Sequence, residues 1–221
     1  SFKYEASIGY DDNFMRFSDM EINTYHIEEN TQNDYLGDSN TYDSDILSSS
    51  IQIKLSPKFL DSYKTNYIFK TKYNYYGSSE LKSYFSLLTR FEIKLAPYSW
   101  IKFSYSLLPD YYLRTYIDRD LAPIDYYPCY FSNETIYISY SHKLPISKTW
   151  ADYRFVINNQ FYNKYFTEFD LELNGFKIRY LNNNKKNKLN DSLTLFDANN
   201  ISKNDETIST DYMDRGYTEF S

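Results

Sequence analysis

Cysteine is nearly absent from this chain. Cys129 is the only one in 221 residues, which excludes an intrachain disulfide and a cysteine-based zinc site and suits either redox compartment. Glycine and proline are scarce too, at 5 and 6 residues, too few for low-complexity coil. No apolar run reaches the roughly 18 residues of a transmembrane helix. A Gly-rich phosphate loop, a nucleophile-elbow serine, an HExxH motif and an EF-hand spacing are all missing. No catalytic residue, metal or cofactor is therefore expected, and the chain reads as non-enzymatic. Lys and Arg number 24 against 30 Asp and Glu, a net charge of -6. That balance argues against a general nucleic-acid binder, which needs a basic face to release counterions from phosphates. The chain opens almost directly in a strand without Met, and is read as a mature or excised one.

What is abundant is aromatic residues, 27 Tyr and 16 Phe, and they alternate. The hairpin from Phe85 to Leu107 organises the rest. Its first arm sets Phe85, Leu87, Thr89, Phe91, Ile93 and Leu95 against Ser86, Leu88, Arg90, Glu92 and Lys94. Ala96-Pro97-Tyr98-Ser99 reverses the chain, and Ile101, Phe103, Tyr105 and Leu107 then oppose Lys102, Ser104 and Ser106. This is the period of a strand with one face for water and one for hydrocarbon. Tyr63 to Tyr75 alternates most cleanly of all. Further strands are expected from Phe2 to Tyr10, Ile46 to Leu55, around Ile136 to Ser141, from Trp150, and over Phe169 to Leu173, Phe176 to Tyr180 and Leu193 to Phe196. Asn174-Gly175, where the apolar phase switches, reads as a type I′ hairpin turn.

Residues 1–221 are expected to form one domain. Segment 19–45 carries eight acidic residues and no Lys or Arg, and reads as a long solvated loop. Segment 109–133 holds three of the six prolines and reads as a second long loop, while 198–221 follows no clear pattern. Ile53-Lys54-Leu55-Ser56-Pro57 recurs as Ile93-Lys94-Leu95-Ala96-Pro97, and Lys143-Leu144-Pro145 echoes both. Each copy closes a strand, so the repeated unit is a long hairpin. Connections after even-numbered strands read short, and those after the first, fifth and ninth long. Short turns at one end and loops at the other, with strands long enough to cross a hydrocarbon layer at a tilt, describe a transmembrane barrel. Trp100 and Trp150 follow short turns, and with Tyr63, Tyr98 and Tyr75-Tyr76 they read as an interfacial aromatic girdle. The mean hydropathy of -0.67 is compatible, because only alternate residues face lipid.

On these features the chain resembles the β-barrel outer-membrane proteins of Gram-negative bacteria. Its opening Ser7-Ile8-Gly9-Tyr10-Asp11-Asp12-Asn13 is similar to the first strand of surface-lipoprotein assembly modifiers and related export barrels, where a Gly-Tyr-Asp-x-Asn turn recurs. The resemblance implies an outer-membrane location and a transport or scaffold role, with no catalytic residues to carry over. Such barrels usually finish on a terminal aromatic. Here Phe220 is followed by Ser221, and the expectation is a chain truncated before its barrel closes.

His26, among Glu28, Glu29 and Asp34, has the surroundings of a general base, but an acidic loop histidine is the favoured reading. His142 takes the outward parity at the short-turn end and reads as an interfacial residue. Asp34, Asp38, Asp43 and Asp45 have hard oxygen ligands for Ca²⁺ without a spacing that fixes geometry, so a solvated loop is preferred. The expected fold is thus all-β, an antiparallel up-and-down transmembrane barrel of ten to twelve strands. The expected function is a channel or export conduit in a bacterial outer membrane, the lipid bilayer being its partner. Its lumen candidates are Lys64, Lys70, Lys72, Arg90, Glu92, Lys94, Lys102, Asp152, Arg154, Lys177 and Arg179, with Glu168, Asp170 and Glu172 also inward. The surplus of bases points to small anionic solutes or an anionic polymer. The alternative is a soluble secreted β-sandwich that binds glycans or protein partners through its aromatics.

Overall fold

The computed structural model describes residues 1–27, 36, 39, 41–57, 63–118, 125–146, 148–183, 188–201 and 217–220. They form one antiparallel sheet in sequence order. Its ten strands are β1 Phe2–Asp11, β2 Ser44–Leu55, β3 Lys64–Tyr76, β4 Tyr84–Ala96, β5 Ser99–Asp118, β6 Asp125–Lys143, β7 Thr149–Tyr162, β8 Leu171–Asn183, β9 Lys188–Asn200 and β10 Tyr217–Phe220. Each strand pairs with its neighbours in the chain. β1 and β10 are bonded to one neighbour each, so the sheet is not closed. A sandwich needs a second sheet against the apolar face, and the described residues supply only one sheet.

The register turns the alternation into two continuous surfaces. Leu55, Tyr67, Phe91, Phe103, Ile138, Phe155, Phe176 and Leu195 lie directly opposite one another across β2 to β9. Neighbouring rows on this face are also largely apolar, among them Ile53, Phe69, Tyr105, Ile136 and Ile157. The other face is polar, and it is the buried one. Phe103, Ile138 and Phe155 are 42%, 48% and 47% exposed, whereas Ser104, Ser139 and Asp152 are 5%, 1% and 7% exposed. A globular protein in water has the reverse arrangement. The sheet curls toward its polar face: Arg90 of β4 reaches across β5 to the Tyr137 ring of β6 at 5.7 Å, and Lys102 of β5 reaches across β6 to Asp152 of β7 at 3.9 Å.

Four expectations are corrected. Asn174-Gly175 is no turn, because β8 runs unbroken from Leu171 to Asn183. Gly175 lies opposite Phe196, and the apolar phase switches because the inner face itself becomes apolar toward that end of the sheet. Residues 109–133 are mostly not loop: β5 and β6 continue through them, pairing as far as Asp118 and Asp125. Pro109 supplies no ladder donor and Asp110 has φ 46, and the first of two bulges falls there, between Leu108 and Tyr111. The acidic segment is only partly loop, since Asp19–Ile27 forms α1. Ser18 caps it through its hydroxyl to Glu21 N at 3.3 Å, and Glu21 Oε2 accepts from Ser18 N at 2.7 Å. Finally, the tryptophans leave the girdle. Trp100 lies opposite Lys94 and Trp150 opposite Lys143, at one end as expected but on the polar parity.

At the end of the sheet near α1, Phe14, Met15, Phe17, Leu36, Tyr76 and Tyr112 form a buried apolar cluster. Segment 19–45 therefore contributes Leu36 and, packed against the cluster, Ile22 and Tyr42. Residues 12–43 connect β1 to β2 at this end, whereas β4 and β5 join through residues 97–98 and β6 and β7 through 144–148 at the other.

Candidate functional site

All eleven lumen candidates share the polar face. The ladder Asn66, Glu92, Lys102, Ser139, Arg154, Lys177 runs across β3 to β8, and Lys64, Lys94, Trp100, Ser141, Asp152, Arg179 forms the adjacent one. Arg90 lies in the row of Ile68 and Ser104, while Lys70 and Lys72 continue β3 toward α1. The three further acids are not with them. Glu168 belongs to a 3-10 turn over Thr167–Phe169, Asp170 precedes β8, and Glu172 takes the apolar parity opposite Asn159. With β8 continuous the phase there is one residue away from the expected one, so the candidate row keeps two acids, Glu92 and Asp152, against nine bases.

Those two acids are occupied. Asp152 forms an ion pair with Lys102 at 3.9 Å and accepts from Arg154 at 3.4 Å, and Arg154 stacks over Tyr137 at 4.3 Å with Arg90 on the same ring at 5.7 Å. Glu92 accepts from Asn66 Nδ2 at 3.2 Å, and Asn66 Oδ1 accepts from the Ser56 hydroxyl at 2.9 Å. Lys70 and Lys72 differ. Lys70 has Gln52 and Leu88 opposite it, and Lys72 has Ser50 and Ser86. Among the described residues, no carboxylate lies within ion-pair distance of either. They stand between two cavities of about 380 Å³ each, one toward β6 and one toward β1.

Sequence reasoning missed what closes in on this face near α1. Tyr76, Tyr84, Tyr111, Phe131 and Tyr162, one from each of β3 to β7, form a chain of rings with centroid separations of 6.5, 4.9, 5.5 and 5.4 Å. Lys82, 1% exposed, sits over the Tyr111 ring at 4.7 Å and donates to the carbonyls of Tyr112 and Leu113 at 2.8 and 3.0 Å. Burial first, and then the nearby Arg16 charge, lower its pKa to about 8. Arg114 pairs with Glu21 of α1 at 2.9 Å, tying the helix to the extended β5. The available signal was the second residue of Tyr75-Tyr76: Tyr75 is 44% exposed, whereas Tyr76 is 7% exposed on the opposite parity.

His142 stacks between Tyr140 and Tyr153 on the apolar face, with centroids at 5.2 and 5.9 Å. His26 lies in α1, but its side chain, like Asp34 and Asp38, falls outside the described residues. Asp43 accepts from the hydroxyls of Tyr10 and Thr41, which gives it a local structural role. Compared with known proteins, the chain matches no family model, no curated protein and no solved structure.

Proposed function

We propose that this chain forms a transmembrane β-barrel in a bacterial outer membrane and serves as a conduit for anionic solutes or polymers, without enzymatic chemistry. The observation that carries the reading is the inverted burial: an apolar belt spans the exposed face of β2 to β9 while serines, an aspartate and arginines fill the inner one. In water each large apolar side chain left exposed forfeits roughly 1.5–3 kcal/mol. A bilayer removes that loss. Closure requires β1 to find a second partner, and in an even-numbered meander the last strand runs antiparallel to the first, as that pairing demands. The basic surplus of the inner face favours anions.

Planar-bilayer recording under a salt gradient tests the conduit. The reversal potential is expected to show anion selectivity, and to move toward zero when Lys64, Lys70 and Lys72 become Gln. A verified closed barrel that conducts nothing would leave a scaffold or anchor instead.

A further inference from the structure

We propose that the inner face around Lys70 and Lys72 binds an acidic saccharide, resting on the reading of that face as open to solute. Side chains two apart on a strand are roughly 7 Å apart, so two ammonium groups so placed repel each other. No carboxylate opposes them across either neighbouring strand, and Glu5, in the row of Lys72 beyond Ser50, is paired with Lys3 at 2.6 Å, which leaves the two ammonium groups open to an anion from outside.

The surrounding wall selects among anions. The cavity toward β6 is lined by the polar groups of Lys70, Lys72, Ser106, Asn133 and Thr135 and, over more of its surface, by Tyr84 and apolar neighbours that include Leu88 and Leu108. Asn158 Nδ2 donates to Asn133 Oδ1 and to Thr135 Oγ1, the latter at 2.6 Å. Those oxygens are thereby engaged as acceptors, and the Asn133 amide and Thr135 hydroxyl keep their protons to donate. These donors are matched to carboxylate and hydroxyl oxygens, and the leucines beside them to the C–H faces of sugar rings. Tyr84 adds a half-buried ring, held edge-on by Tyr111 at 4.9 Å, against which the C–H face of a pyranose can lie.

The second cavity shares both lysines and adds the hydroxyls of Ser48 and Ser50, with the Lys3-paired carboxylate of Glu5 at its far side. From β2 to β6 the groove crosses four strand spacings, roughly 19 Å in all. A single inorganic anion needs neither that length nor the hydroxyl row nor the ring. An oligosaccharide carrying carboxylates uses all three.

Calorimetric titration of the protein folded in detergent, with trigalacturonate, a neutral galactose trisaccharide and inorganic sulfate as probes, tests the assignment. Trigalacturonate is expected to bind at least about tenfold tighter than either other probe, and to lose roughly tenfold or more with Lys70→Gln and Lys72→Gln together, the worth of one or two charge-assisted contacts. The Lys70→Arg and Lys72→Arg pair should retain it, and Tyr84→Ala should weaken trigalacturonate while leaving sulfate unchanged. Equal affinity for sulfate and trigalacturonate, or trigalacturonate binding indifferent to the Gln pair, overturns the proposal. Conductance of the same preparation separates the two readings. Anion conduction without saccharide preference overturns this ligand class and leaves the conduit; saccharide binding through the lysines without conduction upholds the site and removes the conduit.

Discussion

Gly175 sits where it does because Phe196 leaves no room for a larger residue. A Cβ there would lie 2.2 Å from two ring atoms of Phe196, so Gly175→Ala is expected to cost about 1–3 kcal/mol through overpacking. With Phe196→Ala in the background most of that cost should vanish. Denaturant unfolding of the four proteins of the cycle measures it, and simple additivity would contradict the packing argument. Lys82 makes a second test at this scale. Its pKa falls from 10.5 to about 8 on folding, so between those values the unfolded chain holds the proton that the folded one has lost. Stability must then rise with pH across that window. At 1.36 kcal/mol per pKa unit the rise amounts to roughly 3 kcal/mol, and unfolding curves from pH 8 to 10.5 should show it as a difference between the wild type and Lys82→Met. A flat difference would mean that the ammonium is not buried.

Strand by strand, legibility followed what each face touches. β3 and β4 were readable to within a residue or two because their middles keep one mainly polar and one mainly apolar side, with only Ile68 and Leu88 out of place on the polar one. β5, β6 and β8 were not, since near α1 their inner positions turn aromatic or aliphatic: Tyr111, Phe131 and Leu173 lie on the same side as Lys102 and Arg154. Two apolar sides erase the alternation on which the reading depended. Long-range packing made that change, and local pattern carries no trace of it. The end cluster is also what holds α1, through Phe14, Met15 and Phe17. Phe14→Ala is expected to cost about 3–5 kcal/mol locally if the cavity does not collapse, freeing the segment while the sheet stays intact. Limited trypsin digestion should then cut at Arg16 faster than in the wild type, with the circular dichroism of the strands unchanged. Equal cutting rates would show that the cluster does not secure the helix.

For the whole molecule, the shared face of the eleven candidate residues was legible because strand parity assigns a side chain to a face even when strand ends are misplaced. Glu172 failed because the phase was misjudged in its own strand. The proposed bilayer environment rests on the apolar belt. In a bilayer, Phe155→Arg puts a charge into hydrocarbon and should cost roughly 2–4 kcal/mol; on a surface meeting water it should cost far less. The most direct measurement places single tryptophans at positions 69, 91, 103 and 155 after Trp100 and Trp150 are replaced, and reconstitutes each protein with brominated lipids. The account predicts strong quenching by lipid and weak quenching by aqueous iodide at all four, and weak quenching by lipid for tryptophans at positions 104 and 139. Probes at the four belt positions shielded from lipid and iodide alike, or quenched by iodide, would contradict it.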